Sequence, residues 1–125
     1  MPALTRPWGA MHYRIDGAEP GPAVVFANSL GTDLHLWDDV VARLPGIRAI
    51  RFDKRGHGLS DLGGAVTVEA YADDVAALIE TLGLGPVVFV GLSIGGMIGQ
   101  ALAARRPDLL RGLVLSNTAP KMGTA

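Results

Sequence analysis

The segment Pro86 to Pro107, PVVFVGLSIGGMIGQALAARRP, limits the fold more than any other, because it can be read as two incompatible structures. As a single helix, the nearly unbroken apolar run from Gly85 to Ala104 has about the 20 residues a bilayer crossing needs. It carries the close-packing G-x-x-x-G spacing at Gly95 and Gly99, and Arg105 and Arg106 follow it. As strand, turn and helix, the same letters place G-x-S-x-G at Gly91 to Gly95, with Ser93 on the turn. Pro86, the β-branched Val87, Val88 and Val90, and the clustered glycines favour strand, turn and helix.

The rest of the chain repeats that alternation. Met11 to Ile15 alternates as a strand should, and the turn cluster DGAEPGP follows. Ala23 to Asn28 is continuously apolar up to its last residue, the pattern of a strand buried on both faces. Trp37, Val40, Val41 and Leu44 fall on one helical face, stopped by Pro45 and Gly46. Ile47 to Asp53 is a second buried strand, followed by the glycine-rich loop KRGHGLSDLGG. Thr67 is placed to cap a helix with Glu69 and Asp73 near its positive end and an apolar stripe of Val75, Leu78, Ile79 and Leu82. Gly83 and Gly85-Pro86 end it. Pro86 to Val90 is a third buried strand, Ile94 to Arg106 a helix ended by Pro107, and Arg111 to Asn117 a fourth strand. Buried strands alternating with helices predict an α/β fold with a mostly parallel sheet and helices on both faces. A membrane helix would stand alone in such a chain, so none is expected.

Composition agrees. The 125 residues are 49% hydrophobic and 18% charged, with 17 Gly and 8 Pro, which fits one turn-rich globular domain over residues 1–125. A formal net charge of -1 offers no basic field for nucleic acid. The absence of Cys excludes disulfides, zinc-thiolate sites and a Cys nucleophile. No spacing suggests a metal, and no cofactor is expected. The N-terminal MPALTRPWGAMHYRID has no continuous apolar core of a secretory signal, so a cytoplasmic protein is the default expectation.

Ser93 is the residue that carries chemistry. A serine hydroxyl is a weak nucleophile at neutral pH and needs a base and donors for the oxyanion it creates. The turn at Ser93 is crowded, and Gly91 and Gly95 supply the small neighbours it requires. Ile94 opens the following helix, so its N–H is a candidate oxyanion donor backed by the helix dipole. A second donor is expected from the loop Asn28-Ser29-Leu30-Gly31, with the Leu30 N–H as the candidate. The bland alternative is a glycine-rich turn that merely lets strand and helix approach closely.

At these residues the sequence resembles a known family. NSLGTDLHLWDDVVARL, FDKRGHGLSD, GLSIGGMIGQALAARRPD and LVLSNTAPKMGT resemble, in order, blocks of the α/β-hydrolase fold, and in particular of 3-oxoadipate enol-lactonases of the β-ketoadipate pathway. Many related esterases carry His-Gly where Asn28-Ser29 stands here. The resemblance implies a small anionic lactone or ester as substrate. Ser29 and Trp37 are candidates for lining its pocket, although the helical position of Trp37 favours core packing over that role. It also implies that the chain matches only the first half of such an enzyme, ending where the helical cap begins. The triad acid and His follow later strands in this family. Ser93, Leu30 and Ile94 are the residues that carry over.

The histidines present do not replace the missing base. His12 is expected on an outward strand position, His35 as a loop or cap contact, and His57, by resemblance, in a structural hydrogen-bonding loop. Asp53 is read as a loop-organising carboxylate, Arg55 as a loop or surface ion-pair partner, and Asp73 with Asp74 as a solvated helix end. The last strand would present an open apolar edge. A second polypeptide carrying the C-terminal half, from cleavage or a split gene, is therefore expected beside it. Three functions remain open: an enol-lactone hydrolase, another reaction of the same fold (esterase, cofactor-free haloperoxidase or C–C hydrolase), and a non-catalytic binding module.

Overall fold

The structure is a computed structural model, which describes residues 2–17, 21–28, 34–44, 46–53 and 67–116. Among the described residues six strands form one sheet: β1 (Ala3–Arg6), β2 (Gly9–Asp16), β3 (Ala23–Ala27), β4 (Arg48–Phe52), β5 (Val87–Leu92) and β6 (Leu110–Ser116). A 3-10 turn, Leu34–Trp37, leads into α1 (Asp38–Ala42), and the two longer helices are α2 (Val68–Thr81) and α3 (Ile94–Arg105). The spatial order is β1-β2-β4-β3-β5-β6. β4, β3, β5 and β6 run parallel, while β1 and β2 form an antiparallel hairpin whose second strand pairs with β4. This is the predicted α/β architecture.

Strand alternation divides the core in two. Val25, Ala27, Ile50, Phe52, Val87 and Phe89 point to one face and pack with Tyr71, Val75, Leu78 and Ile79 of α2 and Ile94, Ile98 and Leu102 of α3. Val24, Phe26 and Ala49 point to the other, under Trp37. The face under α2 and α3 is fully buried, while the other, under Trp37, leaves Val88 and Val90 of β5 half-buried; apolar residues on both faces make β3 and β5 read as unbroken hydrophobic runs.

The helix ends follow local chemistry. The Thr67 hydroxyl accepts the Ala70 N–H at 3.0 Å, the expected N-cap. Beyond α2 the chain turns through Gly83 and Gly85, both at positive φ (62° and 68°). No helix among the described residues is long and apolar enough to cross a membrane.

Three expectations need correction. β1 was not predicted; its four residues are too short and too exposed to show a period, and it exists because β2 lends it a ladder from Ala3↔His12 to Arg6↔Gly9. The first helix is shorter than its periodicity implied: Trp37 is buried, but Val40 and Leu44 are 40% and 43% exposed, and α1 itself buries no residue. Asp73 is solvated as expected, but Asp74 is not. It is 1% exposed and accepts the Arg6 Nε–H at 2.9 Å and the Trp8 indole N–H at 3.1 Å, tying the hairpin to α2.

Candidate active site

The parallel strands β3, β4 and β5 end side by side, at Asn28, Asp53 and Ser93. Ligands in open α/β sheets bind beyond this carboxyl edge. Asn28 and Asp53 are buried (0% and 2% exposed), whereas Ser93 is exposed. Among the described residues Ser93 alone combines a side chain with positive φ, at φ 56° and ψ -117°. An L-residue adopts such a backbone only when its surroundings enforce it, and it costs about 1–3 kcal/mol.

What enforces it is close packing on both sides. A Cβ at Gly91 would strike the Gly95 carbonyl and lie 2.6 Å from the Gly96 nitrogen. A Cβ at Gly95 would strike the Ala27 carbonyl, 2.7 Å from its carbon. Strand β5, helix α3 and strand β3 thus approach to backbone contact around the serine. The glycines at both positions of the motif are a steric requirement. Ser93 also starts α3: its carbonyl accepts the Gly96 N–H at 2.9 Å and the Met97 N–H at 3.3 Å. Helix geometry leaves the preceding Ile94 N–H without an intrahelical acceptor, on the positive end of α3.

Of the other sequence candidates, Ser29, Leu30, Arg55 and His57 lie outside the described residues. Trp37 is 8% exposed and packs on Phe26, ring centroids 5.1 Å apart and tilted by 45°. It is part of the core on the α1 side of the sheet. His12 is half-buried on β2 rather than on open surface. It is three strand positions from β5, about 14 Å at the usual strand spacing, beyond hydrogen-bond reach of Ser93. His35 is exposed in the 3-10 turn, with Nδ1 3.4 Å from Asp38 Oδ2 in the first turn of α1; this is a side-chain contact and not the expected cap, since α1 has no side-chain N-cap bond.

Sequence reasoning missed Arg51 and Asp74, both charged and both buried. Each left a signal. Arg51 interrupts a strand that otherwise reads as buried, and Asp74 falls within the apolar stripe of α2 next to Val75. A charge at a buried position needs a partner.

Residues 22–125 match the family described as alpha/beta hydrolase fold. The chain is 36% identical over 118 residues to 3-oxoadipate enol-lactonase 2 of Acinetobacter baylyi, covering 93% of this chain and 44% of that protein. It is 33% identical over 118 residues to an sn-1-specific diacylglycerol lipase of Mus musculus, covering 92% of this chain and 38% of that one. The crystal structure of an enol-lactonase from Burkholderia xenovorans superposes with a TM-score of 0.92 at 42% identity, over 98% of this chain and 48% of that one. The chain therefore spans less than half the length of these relatives.

Proposed function

The chain belongs to the alpha/beta-hydrolase fold family, and on that premise we propose that it is the nucleophile-bearing part of a serine hydrolase that opens an enol-lactone, 3-oxoadipate enol-lactone to 3-oxoadipate. The observation that carries the reading is Ser93 itself: an exposed hydroxyl held at positive φ between a buried strand and a helix N-terminus, at the carboxyl edge of the sheet. The identities to enol-lactonases support the substrate class.

In this reading the Ser93 hydroxyl loses its proton to a histidine base and attacks the lactone carbonyl. The carbonyl oxygen becomes an oxyanion, held by the Ile94 N–H and by the Leu30 N–H. Collapse breaks the ring C–O bond, the enol oxygen takes the proton from the base, and the enol relaxes to the ketone. Water, deprotonated by the same base, then releases the acid from Ser93. The base and the carboxylate that orients it come from a C-terminal half, on a continuing or a separate polypeptide. Residues 1–125 and that half are called the assembled enzyme below.

β6 supports the need for that half. Val114 and Leu115 are 52% and 41% exposed, apolar side chains on the parallel strand that is outermost among the described residues. Such an edge is a template for pairing unless another segment covers it.

The test is a substrate panel on the assembled enzyme, with Ser93→Ala as control. The reading predicts that enol-lactone is preferred over simple aryl esters and over thioesters, and that Ser93→Ala lowers kcat by roughly 10³-fold or more. A preference for esters, with Ser93→Ala still inactive, keeps the serine hydrolase and replaces the substrate.

A further inference from the structure

We propose that Arg51 is a positioning residue for this site, a buried guanidinium that fixes the segment Leu34–Ala42 against the sheet. The proposal rests on the hydrolase reading above.

Arg51 lies on β4 with its side chain only 3% exposed. Its Nη2 donates to Asp16 Oδ2 at 2.6 Å, and its Nη1 donates to Asp38 Oδ1. Asp16 ends β2 and Asp38 begins α1, so one cation joins three elements. The carboxylates have further partners. Arg14 Nε donates to Asp16 Oδ1 at 3.1 Å, and His35 faces Asp38. With Val41 and Ala42 these groups line an open surface depression of about 500 Å³.

A buried charge is a poor device for stability alone, since an apolar residue of similar volume is often as stabilising. Its advantage is geometric. A forked guanidinium gripping two carboxylates fixes separation and rotation together, which an apolar contact does not. That matters here because few apolar contacts hold the segment. α1 buries no residue fully, Leu36, Val40 and Leu44 are 42%, 40% and 43% exposed, and Trp37, with the half-buried Val41, is the apolar anchor.

The segment's position bears on catalysis through chain connectivity. Residues 29–33 join Asn28 to Leu34. The near end is set by β3, where Ala27 pairs with Gly91 beside the elbow. The far end is set by Trp37 and the Arg51 clasp. Leu30, the proposed second oxyanion donor, belongs to that connection. A displacement of about 1 Å in a catalytic group can cost up to 10²-fold in rate.

The experiment compares Arg51→Met, Arg51→Lys and Ser93→Ala in the assembled enzyme by steady-state kinetics and by amide hydrogen exchange. Arg51→Met is expected to lower kcat by roughly tenfold to 10²-fold with KM changed less than about threefold, because transition-state binding is lost and ground-state binding is not. Exchange over residues 34–42 speeds up while exchange over α2 is unchanged. Arg51→Lys, which keeps the charge without the fork, recovers part of kcat. Should Arg51→Met fail to fold, Asp38→Ala, at a half-exposed carboxylate, removes the acceptor, releases the same segment and gives the same readouts. Arg51→Met with kcat within twofold of wild type, or with unchanged exchange over 34–42, overturns the proposal while an inactive Ser93→Ala leaves the hydrolase reading standing. A fully active Ser93→Ala removes the hydrolase reading and this proposal with it.

Discussion

The Ser93 amide donates to the Ser116 carbonyl at 2.9 Å, so the residue that opens the elbow is pinned to the last residue of the neighbouring strand. The pairing of β5 with β6, which ends at Leu92↔Ser116, therefore extends one residue into the turn. The amide of Ser93 is committed to the sheet, and that of Ile94 faces the helix's open end. Amide exchange measured by NMR is expected to show Ser93 protected and Ile94 fast. Protection at both would mean that the Ile94 N–H already has an acceptor and is not held ready for an oxyanion.

The strain at Ser93 predicts a trade between stability and activity. Glycine adopts φ 56° and ψ -117° without the side-chain penalty, so Ser93→Gly should raise stability by about 1 kcal/mol in denaturant unfolding while abolishing hydrolysis. Ser93→Ala, which keeps a Cβ, should abolish hydrolysis without that gain. Equal stabilities for the two variants would show that the turn is unstrained.

Gly95 is the tightest point of the elbow. An added methyl group meets backbone, the Ala27 carbonyl, which cannot swing aside as a flexible side chain would. Gly95→Ala is expected to destabilise by about 1–3 kcal/mol or more and to lower activity by shifting α3 from β3. Thermal unfolding at wild-type stability would contradict the close approach.

Asp74 is expected to matter for stability through its contacts to the hairpin. Replacing it with Ala leaves the Trp8 N–H and the part-buried Arg6 without their acceptor, at a cost of about 1–3 kcal/mol in denaturant unfolding. The loss should appear as fraying of the β1–β2 hairpin, seen as faster exchange over residues 3–12. An unchanged hairpin would mean that its sheet pairing alone holds it.

The Arg51 carboxylates predict the direction of a pH effect. Burial pushes the Asp16 carboxyl up, but the hydrogen bond and charge of Arg51, joined by Arg14, outweigh it and the net shift is downward. At Asp38 the Arg51 hydrogen bond dominates and again lowers it. Groups with lowered folded values stabilise fully above the ordinary aspartate value of 3.8 and lose that contribution as pH falls through the lowered ones. Acidification below about pH 4 should therefore shift the stability difference between wild type and Arg51→Met against wild type. A difference independent of pH in that range would show that the carboxylates are not paired to Arg51.

Particular residues explain what the sequence made legible. Ala23 to Ala27 could be recognised as a central strand because burial on both faces leaves no polar position in the run, and Val87 to Val90, buried on one face and half-buried on the other, kept the same apolar pattern. Gly91 and Gly95 marked the elbow because backbone contact excludes every other side chain there. Thr67 announced α2 because an N-cap is chosen by its own side chain. What stayed hidden depended on partners distant in sequence. β1 needs β2, Asp74 needs Arg6, 68 residues away, and Arg51 needs Asp16, 35 residues away. The helical face of Trp37 to Leu44 misled because its periodicity is real while α1 covers little of the sheet.

The central claim is that Ser93 is a nucleophile, and the most direct measurement is the mass of the assembled enzyme after exposure to a fluorophosphonate, followed by peptide mapping. The account predicts one adduct per site, on Ser93, with activity lost in proportion and no adduct on Ser93→Ala. Full loss of activity with the adduct on another residue, or full activity with Ser93 modified, would contradict it.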